Sequence, residues 1–378
     1  MKNNFKIHRI VLKVILWLVV ISAVGFLVFI GLQISGKNRL YKKSANKRPD
    51  LNVASITWEE EETVETGNGE STEQTSTPVP ILQTEDEGDN WEEGDLRYKG
   101  VHYRYNDEML TFLFMGIDKK NGAVKEAKNG IDGGQSDALF LMALNPKTKE
   151  ATLININRDT MADIDVYSES GTFLSTTKAQ ITLQHGYGDG KEISCERSVA
   201  AVSKLFYNLP IHGYCAINLA AVPKINDAVG GVDLVALEDI KRGSKTVFTK
   251  GQQVHLKGEM ATLYVQNRDE DFEGAKRRAE RQKQYVVAYA DSAKRAIKKD
   301  VTVMVSLFKT ISKYMVTDIT VDEVSYFSTQ VNDYKFDGNR MYSLQGETIM
   351  GEEYEEFYAD EKALFELILN VFYDVIED

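Results

Sequence analysis

The chain has 378 residues, enough for one large domain or two ordinary ones. Its formal net charge of −12 comes from residues 51–96, which contain fourteen Asp or Glu and no Lys or Arg. The rest of the chain is nearly neutral, with 45 Lys or Arg against 43 Asp or Glu. A nearly neutral chain has no extended basic surface, so nucleic-acid binding is excluded.

An uncharged stretch near the N-terminus predicts a membrane anchor. Residues Val14–Leu32 carry no charge over nineteen positions, which is long enough for a helix to cross the hydrocarbon core of a bilayer. We therefore expect a short N-terminal tail at residues 1–13 and a single transmembrane helix at residues 14–35. A signal peptide is the competing interpretation, but its apolar region would be shorter and no small-x-small cleavage site follows the stretch.

The charges that flank this stretch do not fix its orientation. Four Lys or Arg precede it and six follow within residues 37–48, which alone would weakly favour a cytoplasmic C-terminal part. Long domains can translocate regardless of such charges, so both orientations stay open on this evidence.

The segment after the anchor, residues 36–106, predicts a flexible acidic linker. Residues 59–80 are rich in Ser, Thr, Gly and Glu and poor in large apolar side chains, so they cannot bury enough surface to fold. The globular domain is expected at residues 107–378. It contains both cysteines, Cys195 and Cys215, which could form a disulfide outside the cell or remain small buried residues inside it.

Two apolar runs in this domain predict a hairpin that brings an acid and a base together. Residues 138–144 and 151–156 are separated by N-P-K-T-K, a turn sequence. With a four-residue loop, Asp137 lies directly opposite Arg158, with Cβ atoms about 5 Å apart. A structural cross-strand salt bridge is the alternative to a functional pair.

Other segments predict alternating helices and strands. Met109–Ile117 reads as a buried strand, Glu192–Leu205 has helical periodicity, Tyr214–Leu219 resembles a strand, and Leu256–Val265 suits a short helix. This alternation favours a layered α/β domain.

The densest charge pattern lies at residues 267–282, which contain five Lys or Arg and five Asp or Glu. On a helix, Arg278, Arg281 and Gln282 begin the stripe that continues through Tyr285. The arginines are therefore not expected to point simply at solvent.

Arginine and carboxylate side chains together predict a site for phosphate and a hard cation. Arginine forms paired hydrogen bonds with phosphate oxygens, and carboxylates suit a metal such as Mg²⁺ that also binds phosphate. A pyrophosphate site could gather the following residues: Arg158, Arg268, Arg278, Arg281, Asp118, Asp137, Asp159, Asp269 and Asp271.

An ordered set of motifs resembles the LytR-CpsA-Psr family of membrane-anchored phosphotransferases of Gram-positive bacteria. The set covers most of the chain beyond residue 107 and is composed of F-M-G-I-D, D-G-G-Q-S-D, N-R-D-T, K-A-Q-I-T-L-Q-H-G-Y-G-D-G, D-A-V-G-G-V-D, L-K-G-E-M-A-T-L-Y-V-Q-N-R-D-E-D-F and R-A-E-R-Q. Individually these motifs are weak, but their order is specific.

The resemblance implies an α-β-α sandwich around a central mixed sheet, preceded by one transmembrane helix and a disordered acidic linker. It implies an extracellular domain, with residues 1–13 as a short cytoplasmic tail. It also implies a long apolar pocket in that domain for a polyprenyl chain. It also implies transfer of a phosphoglycopolymer, such as teichoic acid or capsule, from undecaprenyl pyrophosphate to a peptidoglycan hydroxyl, with Mg²⁺ or Mn²⁺ as the cofactor. A pyrophosphatase side activity is expected as well.

The resemblance also implies roles for single residues. Asp118 and Asp137 resemble the metal-binding acids, and Arg158, Asp159 and Asp137 are expected to act in catalysis. The pyrophosphate is expected to bind Arg158, Arg268, Arg278, Arg281 and Gln282.

Two departures from the family pattern keep alternatives open. Gln266 stands where the family commonly has an arginine, which removes one contact to phosphate. The spacing after Asp271 is long, so Arg277 could replace Arg278.

The alternative function is a non-catalytic envelope protein, regulatory in role, that binds lipid pyrophosphate or anionic glycopolymer. His185 is expected to be a turn or packing residue.

Overall fold

The structure is a computed structural model that describes residues 30–44, 47–51, 82–83, 90–117, 126–267, 274–300, 303, 310–330 and 333–377. Within these residues, no helix is long and apolar enough to cross a membrane. Several predictions fall outside them: most of the transmembrane helix at 14–35, Asp118, Arg268, Asp269 and Asp271.

The strands in chain order are Leu82–Gln83 (β1), Leu96–Tyr98 (β2), Val101–Tyr105 (β3), Leu110–Ile117 (β4), Ser136–Asn145 (β5), Glu150–Ile156 (β6), Met161–Tyr167 (β7), Phe173–Gln180 (β8), Gly213–Asn218 (β9), Val232–Val235 (β10), Ile240–Arg242 (β11), Lys245–Phe248 (β12), Gln253–Leu256 (β13), Met315–Thr317 (β14), Lys335–Ser343 (β15), Gly346–Met350 (β16), Glu355–Ala359 (β17) and Tyr373–Ile376 (β18).

The α-helices are residues 30–44 (α1), Glu192–Leu205 (α2), Val222–Ala228 (α3), Glu259–Gln266 (α4), Gly274–Lys299 (α5), Val321–Gln330 (α6) and Glu361–Phe372 (α7). Short 3₁₀ helices occupy Ile181–Gly186, Leu219–Ala221 and Ser312–Tyr314. The predicted bounds of α2 are confirmed. The helix predicted at Leu256–Val265 is corrected, because β13 ends at Leu256 and Gly258, with φ of 52°, separates it from α4.

A six-stranded mixed sheet forms the centre of the domain, in the order β14-β9-β4-β5-β6-β15. The pairs β4–β9 and β6–β15 are parallel, and the other neighbours are antiparallel. The expected mixed α/β fold is therefore confirmed. The central strands read as nearly continuous apolar runs because elements pack on both of their faces.

Apolar side chains alternate between the two faces of the sheet. On β4, Leu113 and Met115 join a core that includes residues of α2 and α7. Phe112 on the same strand joins a second core with Tyr326 of α6. On β5, Phe140 packs on this second side, near Val286 of α5. Helices therefore cover both faces of the central sheet.

The register between β5 and β6 agrees with the sequence prediction. Asn145 pairs with Glu150, and Leu139 pairs with Ile156. The Asn145 side chain accepts hydrogen bonds from the backbone N–H of Lys147 and Thr148 at 2.9 and 3.1 Å, which stabilises the loop. Local turn chemistry thus fixes the register that places Asp137 and Arg158 at one rim.

The folded part begins before residue 107, which corrects the predicted linker at 36–106. Strands β2 and β3 form a hairpin, and β3 also pairs with β18. Lys99 and Gly100 both have positive φ, as a two-residue hairpin turn requires. The hairpin was assigned to the linker because its strands are only three and five residues long and directly follow the acidic segment.

The linker prediction is also wrong at its first residues, because α1 continues to residue 44 and packs on the domain. Leu40 is fully buried, and Ser35 Oγ donates to Asp322 Oδ2 at 2.8 Å. Gly36 lies so close to the Asp322 backbone that a Cβ would clash with it. Residues 52–81 and 84–89 of the predicted linker lie outside the described residues.

Candidate active site

Arg158 lies in the turn after β6, and Asp137 is the second residue of the neighbouring strand β5. The Nη1 atom of Arg158 donates to Oδ1 of Asp137, and Nη2 donates to Oε1 of Gln135 at 2.7 Å. The Arg158 and Asp137 side chains are 18% and 17% exposed. The predicted juxtaposition of the acid and the base is therefore confirmed, and the pair remains accessible from solvent.

Asp159 lies on another side of the same guanidinium. Its Oδ1 is 3.4 Å from Nε of Arg158, an ion-pair distance at which the geometry does not make a hydrogen bond, so this buried N–H is left without an acceptor. A buried donor without an acceptor costs free energy. The exposed 18% of the Arg158 side chain, rather than this buried N–H, is the part that lines the adjoining cavity.

The N-R-D-T turn owes its shape to its first and last residues. The Asn157 side chain accepts from the backbone N–H of Asp159 at 3.1 Å, and the Asn157 carbonyl accepts from the hydroxyl of Thr160 at 2.6 Å. Side-chain bonds of this kind are typical of Asn at the start of a turn. The Arg158 carbonyl accepts from the N–H of Thr182 at 3.1 Å, which ties the turn to the following 3₁₀ helix.

Gln180, at the end of β8, connects Asp159 to a distant hairpin. Its Nε2 donates to Oδ1 of Asp159 at 3.1 Å and to the carbonyl of Glu355 at 2.8 Å. The N–H of Phe357 donates to the Asp159 carbonyl at 2.9 Å. The β16–β17 hairpin is thus fixed against the N-R-D-T turn.

A cavity of about 250 Å³ lies between this turn and the hairpin, and its lining is Arg158, Asp159, Gln180, Met350, Glu353, Tyr354 and Glu355. The sequence analysis did not include the hairpin residues in the site, since they lie almost 200 residues beyond Arg158 and match none of the quoted motifs. It also gave Gln180 no role, although the residue stands inside K-A-Q-I-T.

Arg281 occupies a different environment from the one predicted. Its side chain is 1% exposed, and its guanidinium pairs with Glu238. Nε donates to the carbonyl of Tyr264 at 2.9 Å, and Nη2 donates to the carbonyl of Asn267. Burial lowers the pKa of Arg281 to about 10, so the side chain stays a cation at neutral pH. The burial of Arg281 and its three partners argue against the predicted pyrophosphate contact and indicate a structural role.

The neighbouring predicted residues of α5 differ in their surroundings. Arg277 Nε forms an ion pair with Glu238 at 3.0 Å. Gln282 Nε2 donates to the Val265 carbonyl at 3.2 Å, and Arg278 is half-buried. Arg277 thus shares the Glu238 carboxylate with the buried Arg281, which argues against its replacing Arg278 as a phosphate ligand.

Helix α5 crosses the face of the strands that carry the rim residues. Val286 and Val287 pack against a core formed by Phe140, Leu153 and Met341. A second cavity, of about 670 Å³, runs beside this helix, and its lining includes Leu234, Leu237, Val287, Ala288 and Met341. Charged side chains complete the lining, among them Lys283 and Arg295.

His185 and the two cysteines have structural environments. His185 Nδ1 is 2.9 Å from the carbonyl of Gly134, which confirms the expected turn or packing role. Cys195 and Cys215 are both free and buried, so the structure contains no disulfide between them. Burial raises the pKa of both thiols, which keeps them protonated and unreactive.

The carboxylates around Arg158 suit a hard cation by their chemistry. Asp137 and Asp159 offer only oxygen atoms, the ligands that Mg²⁺ and Mn²⁺ prefer. In the part of the chain that the structure describes, no three His, Cys, Asp or Glu residues cluster in a way that could hold a metal. The third predicted acid, Asp118, lies outside that part.

A family model described as LytR_cpsA_psr matches residues 71–370 of the chain. Among named proteins, the chain is 32% identical over 225 residues to the polyisoprenyl-teichoic acid–peptidoglycan teichoic acid transferase TagU of Bacillus cereus. That match covers 60% of this chain and 64% of the relative. A transferase of the same name from Oceanobacillus iheyensis is 26% identical over 263 residues, which cover 68% of this chain and 73% of the relative.

Solved structures share the fold. The crystal structure of B. subtilis TagV superposes with a TM-score of 0.54 at 21% identity, and the match covers 70% of this chain and 95% of TagV. A structure of TagT bound to LI-WTA gives a TM-score of 0.51 at 20% identity, covering 70% of this chain and 89% of TagT. At these identities the likeness establishes the architecture alone.

Proposed function

Because the chain belongs to the LytR_cpsA_psr family, we propose that it transfers a phosphoglycopolymer from a polyprenyl-pyrophosphate precursor to a peptidoglycan hydroxyl. Teichoic acid is the polymer named for the relatives. The match spans 64% of the length of one relative and 73% of the other. The observation that carries the proposal is Arg158, held between Asp137 and Asp159 at an accessible rim of the sheet.

Arg158 is the group that fits a pyrophosphate oxygen. Its guanidinium is planar and always charged, and it can bind two phosphate oxygens in parallel. Asp137 and Gln135 hold two of its nitrogens before the substrate arrives, so the side chain is already oriented. A cation fixed where negative charge develops lowers the barrier without reorganisation.

Asp159 is the candidate general base. The acceptor oxygen forms a bond to the polymer-linked phosphorus, the bond from that phosphorus to the lipid phosphate breaks, and polyprenyl phosphate leaves. The hydroxyl proton passes to the Asp159 carboxylate. Gln180 donates to Oδ1 of that carboxylate at 3.1 Å, which helps to orient it at the cavity that Asp159 lines.

Mg²⁺ or Mn²⁺ completes the proposed site, with Asp137 and Asp118 as its protein ligands. The cation would neutralise charge on the pyrophosphate oxygens. The oxygen-only chemistry of the carboxylates supports this assignment. Arg278 and Gln282 of α5, together with Arg268, are the further proposed contacts to the pyrophosphate.

The larger cavity beside α5 is the proposed site of the lipid chain. Its apolar residues Leu234, Val287 and Met341 offer the surface that a polyprenyl chain needs.

The proposed location follows from the same substrate, because a polyprenyl-linked donor is held in the membrane. We propose a single-pass membrane protein whose anchor is the uncharged stretch 14–35 and whose C-terminal domain lies on the extracellular side.

Release of polyprenyl phosphate from a synthetic lipid-pyrophosphate-linked sugar tests the proposal. The full-length protein is assayed with peptidoglycan acceptor, with Mg²⁺ and after chelation. We expect metal-dependent release by the wild type and a loss of about a thousandfold in Arg158→Ala, because the fixed positive charge is removed.

Arg340→Ala is the matched control, since Arg340 Nη2 pairs with Glu150 Oε2 at 2.7 Å at the opposite end of β6. This variant should retain wild-type turnover. Tight donor binding without release by the wild type would contradict catalysis and support the non-catalytic binding protein. Normal turnover in Arg158→Ala would remove Arg158 from the mechanism.

A further inference from the structure

The tip of the β16–β17 hairpin carries exposed apolar side chains beside the catalytic turn. Tyr354 is 66% exposed and Met350 is 63% exposed, yet both line the cavity of about 250 Å³ that contains Arg158 and Asp159. Large apolar groups that gather at the mouth of a cavity indicate a binding surface. Binding of the pyrophosphate-linked donor does not explain why these two apolar side chains are exposed at the cavity.

The hairpin is held rigidly relative to Asp159. Phe357, 7% exposed, is buried in the main core, and its N–H donates to the Asp159 carbonyl. Gln180 bridges the Asp159 carboxylate and the Glu355 carbonyl. At the tip, the N–H of Gly351 donates to the carbonyl of Tyr354 at 2.8 Å, which closes the turn. Tyr354 is thus presented at a fixed position next to the reacting groups.

The charges of this cavity disfavour the polymer donor. Three carboxylates line it, from Asp159, Glu353 and Glu355, against the single guanidinium of Arg158. A polyanionic chain of phosphates would be repelled beyond the one group that Arg158 binds. A neutral sugar, whose hydroxyls donate hydrogen bonds to carboxylates, or an amino sugar with a free ammonium meets no such penalty.

We propose that this cavity is the acceptor subsite, in which Tyr354 packs against a sugar ring of the acceptor glycan and Glu353 accepts hydrogen bonds from its hydroxyls. The inference rests on the proposed transferase function. An aromatic ring supplies a large apolar face with a polar tip, which suits the mixed surface of a sugar. The subsite places an acceptor hydroxyl against Asp159, the proposed base.

The affinity for the acceptor should depend on Tyr354. The full-length protein is assayed with a synthetic polyprenyl-pyrophosphate-linked sugar as donor and increasing concentrations of soluble peptidoglycan glycan strands. Tyr354→Ala should raise the acceptor KM about tenfold, because the stacked ring is lost. The donor dissociation constant, measured without acceptor, should stay at the wild-type value. Tyr354→Phe, which keeps the ring, should restore most of the acceptor KM.

Tyr358→Ala is the matched control. Tyr358 lies on the same hairpin and is 42% exposed, and it does not line the cavity. Its replacement should leave the acceptor KM unchanged. Equal KM values for both alanine variants would overturn the subsite, and so would a Tyr354→Ala effect that falls equally on the donor.

Failure of the proposed function is distinguishable from failure of the subsite. If the wild type transfers nothing, binding of the same glycan strands to the full-length protein is measured by saturation-transfer NMR. Binding that Tyr354→Ala weakens and Tyr358→Ala does not would retain a glycan subsite in a non-catalytic protein. Equal binding by all three proteins would overturn the subsite on its own.

Discussion

Two arginine–carboxylate clusters in this protein have similar composition and opposite environments. Arg158 pairs with Asp137 at a rim where both side chains keep nearly a fifth of their surface exposed, and its Nε lacks a hydrogen-bond acceptor. Arg281 is 1% exposed, and it is bonded to Glu238 and two backbone carbonyls. The first cluster lines a cavity that is open to solvent, and the second joins α5 to the end of α4.

We propose that solvent accessibility, rather than the local density of charges, separates a ligand-binding arginine from a structural one. Arg281 stands in the most highly charged stretch of the chain, whereas Arg158 stands in the short N-R-D-T turn, which has only two charged residues. A buried arginine with its donors satisfied stabilises the fold but offers nothing to a substrate. Substitutions at the two positions should therefore change different measurable quantities.

The largest expected effect on stability is that of Arg281→Ala. Removal of the guanidinium leaves two carbonyls without their donor and Glu238 with Arg277 as its remaining partner, which should lower the free energy of unfolding by about 3 kcal/mol. Urea denaturation followed by circular dichroism measures this change. Arg158→Ala should lower it by less than Arg281→Ala does, because water reaches the Arg158–Asp137 pair and partly screens its charges. Equal losses in the two variants would contradict the contrast between a structural and a functional arginine.

Arg158→Lys tests whether the shape of the guanidinium matters as well as its charge. Lysine keeps the positive charge but cannot hold Asp137 and Gln135 while it also binds phosphate in parallel. We expect polyprenyl phosphate release to fall about a hundredfold, equivalent to about 2.7 kcal/mol in the barrier. Release within a factor of about two of the wild type would show that Arg158 acts as a simple point charge.

The rim pair was predictable from sequence because local rules determine it. The loop at residues 146–149 fixes the register of β5 and β6, and the apolar faces prevent a one-residue slip. The bounds of α2 were equally accessible from its periodicity. In each case the determining interactions lie within a few residues of one another, so the pattern in the sequence contains the information.

The rest of the site depends on contacts between distant segments, which periodicity does not encode. The burial of Arg281 depends on Glu238, a residue of another part of the chain. The cavity wall depends on Tyr354 and its hairpin, which contacts Asp159 through one backbone hydrogen bond from Phe357. Helical geometry predicted that Arg281 faces inward, but it could not predict whether the guanidinium would contact a ligand or a carboxylate of the protein.

Gln180→Ala should reduce transfer without removing any charge. The variant loses the hydrogen bonds that orient the Asp159 carboxylate and tie Glu355 to the turn, so the base is less well positioned. We expect kcat to fall about tenfold, equivalent to about 1.4 kcal/mol, with donor affinity retained. Gln180→Glu places a second carboxylate beside Asp159 and should raise the apparent pKa of the pH–rate profile, since like charges disfavour ionisation. A pH–rate profile identical to that of the wild type would show that Gln180 has no contact with the titrating group.

The smallest effect should follow from Arg340→Ala, and it sets the baseline for the other variants. Arg340 is 37% exposed and Glu150 is 33% exposed, so water screens their ion pair. Such pairs contribute less than about 1 kcal/mol to stability, and salt weakens them further. Urea denaturation at low and at high ionic strength should therefore give a small difference from the wild type that shrinks as salt is added. A loss as large as that of Arg281→Ala would mean that exposure does not separate the two kinds of arginine, because the pair at the far end of β6 would then be as important to the fold as the buried one.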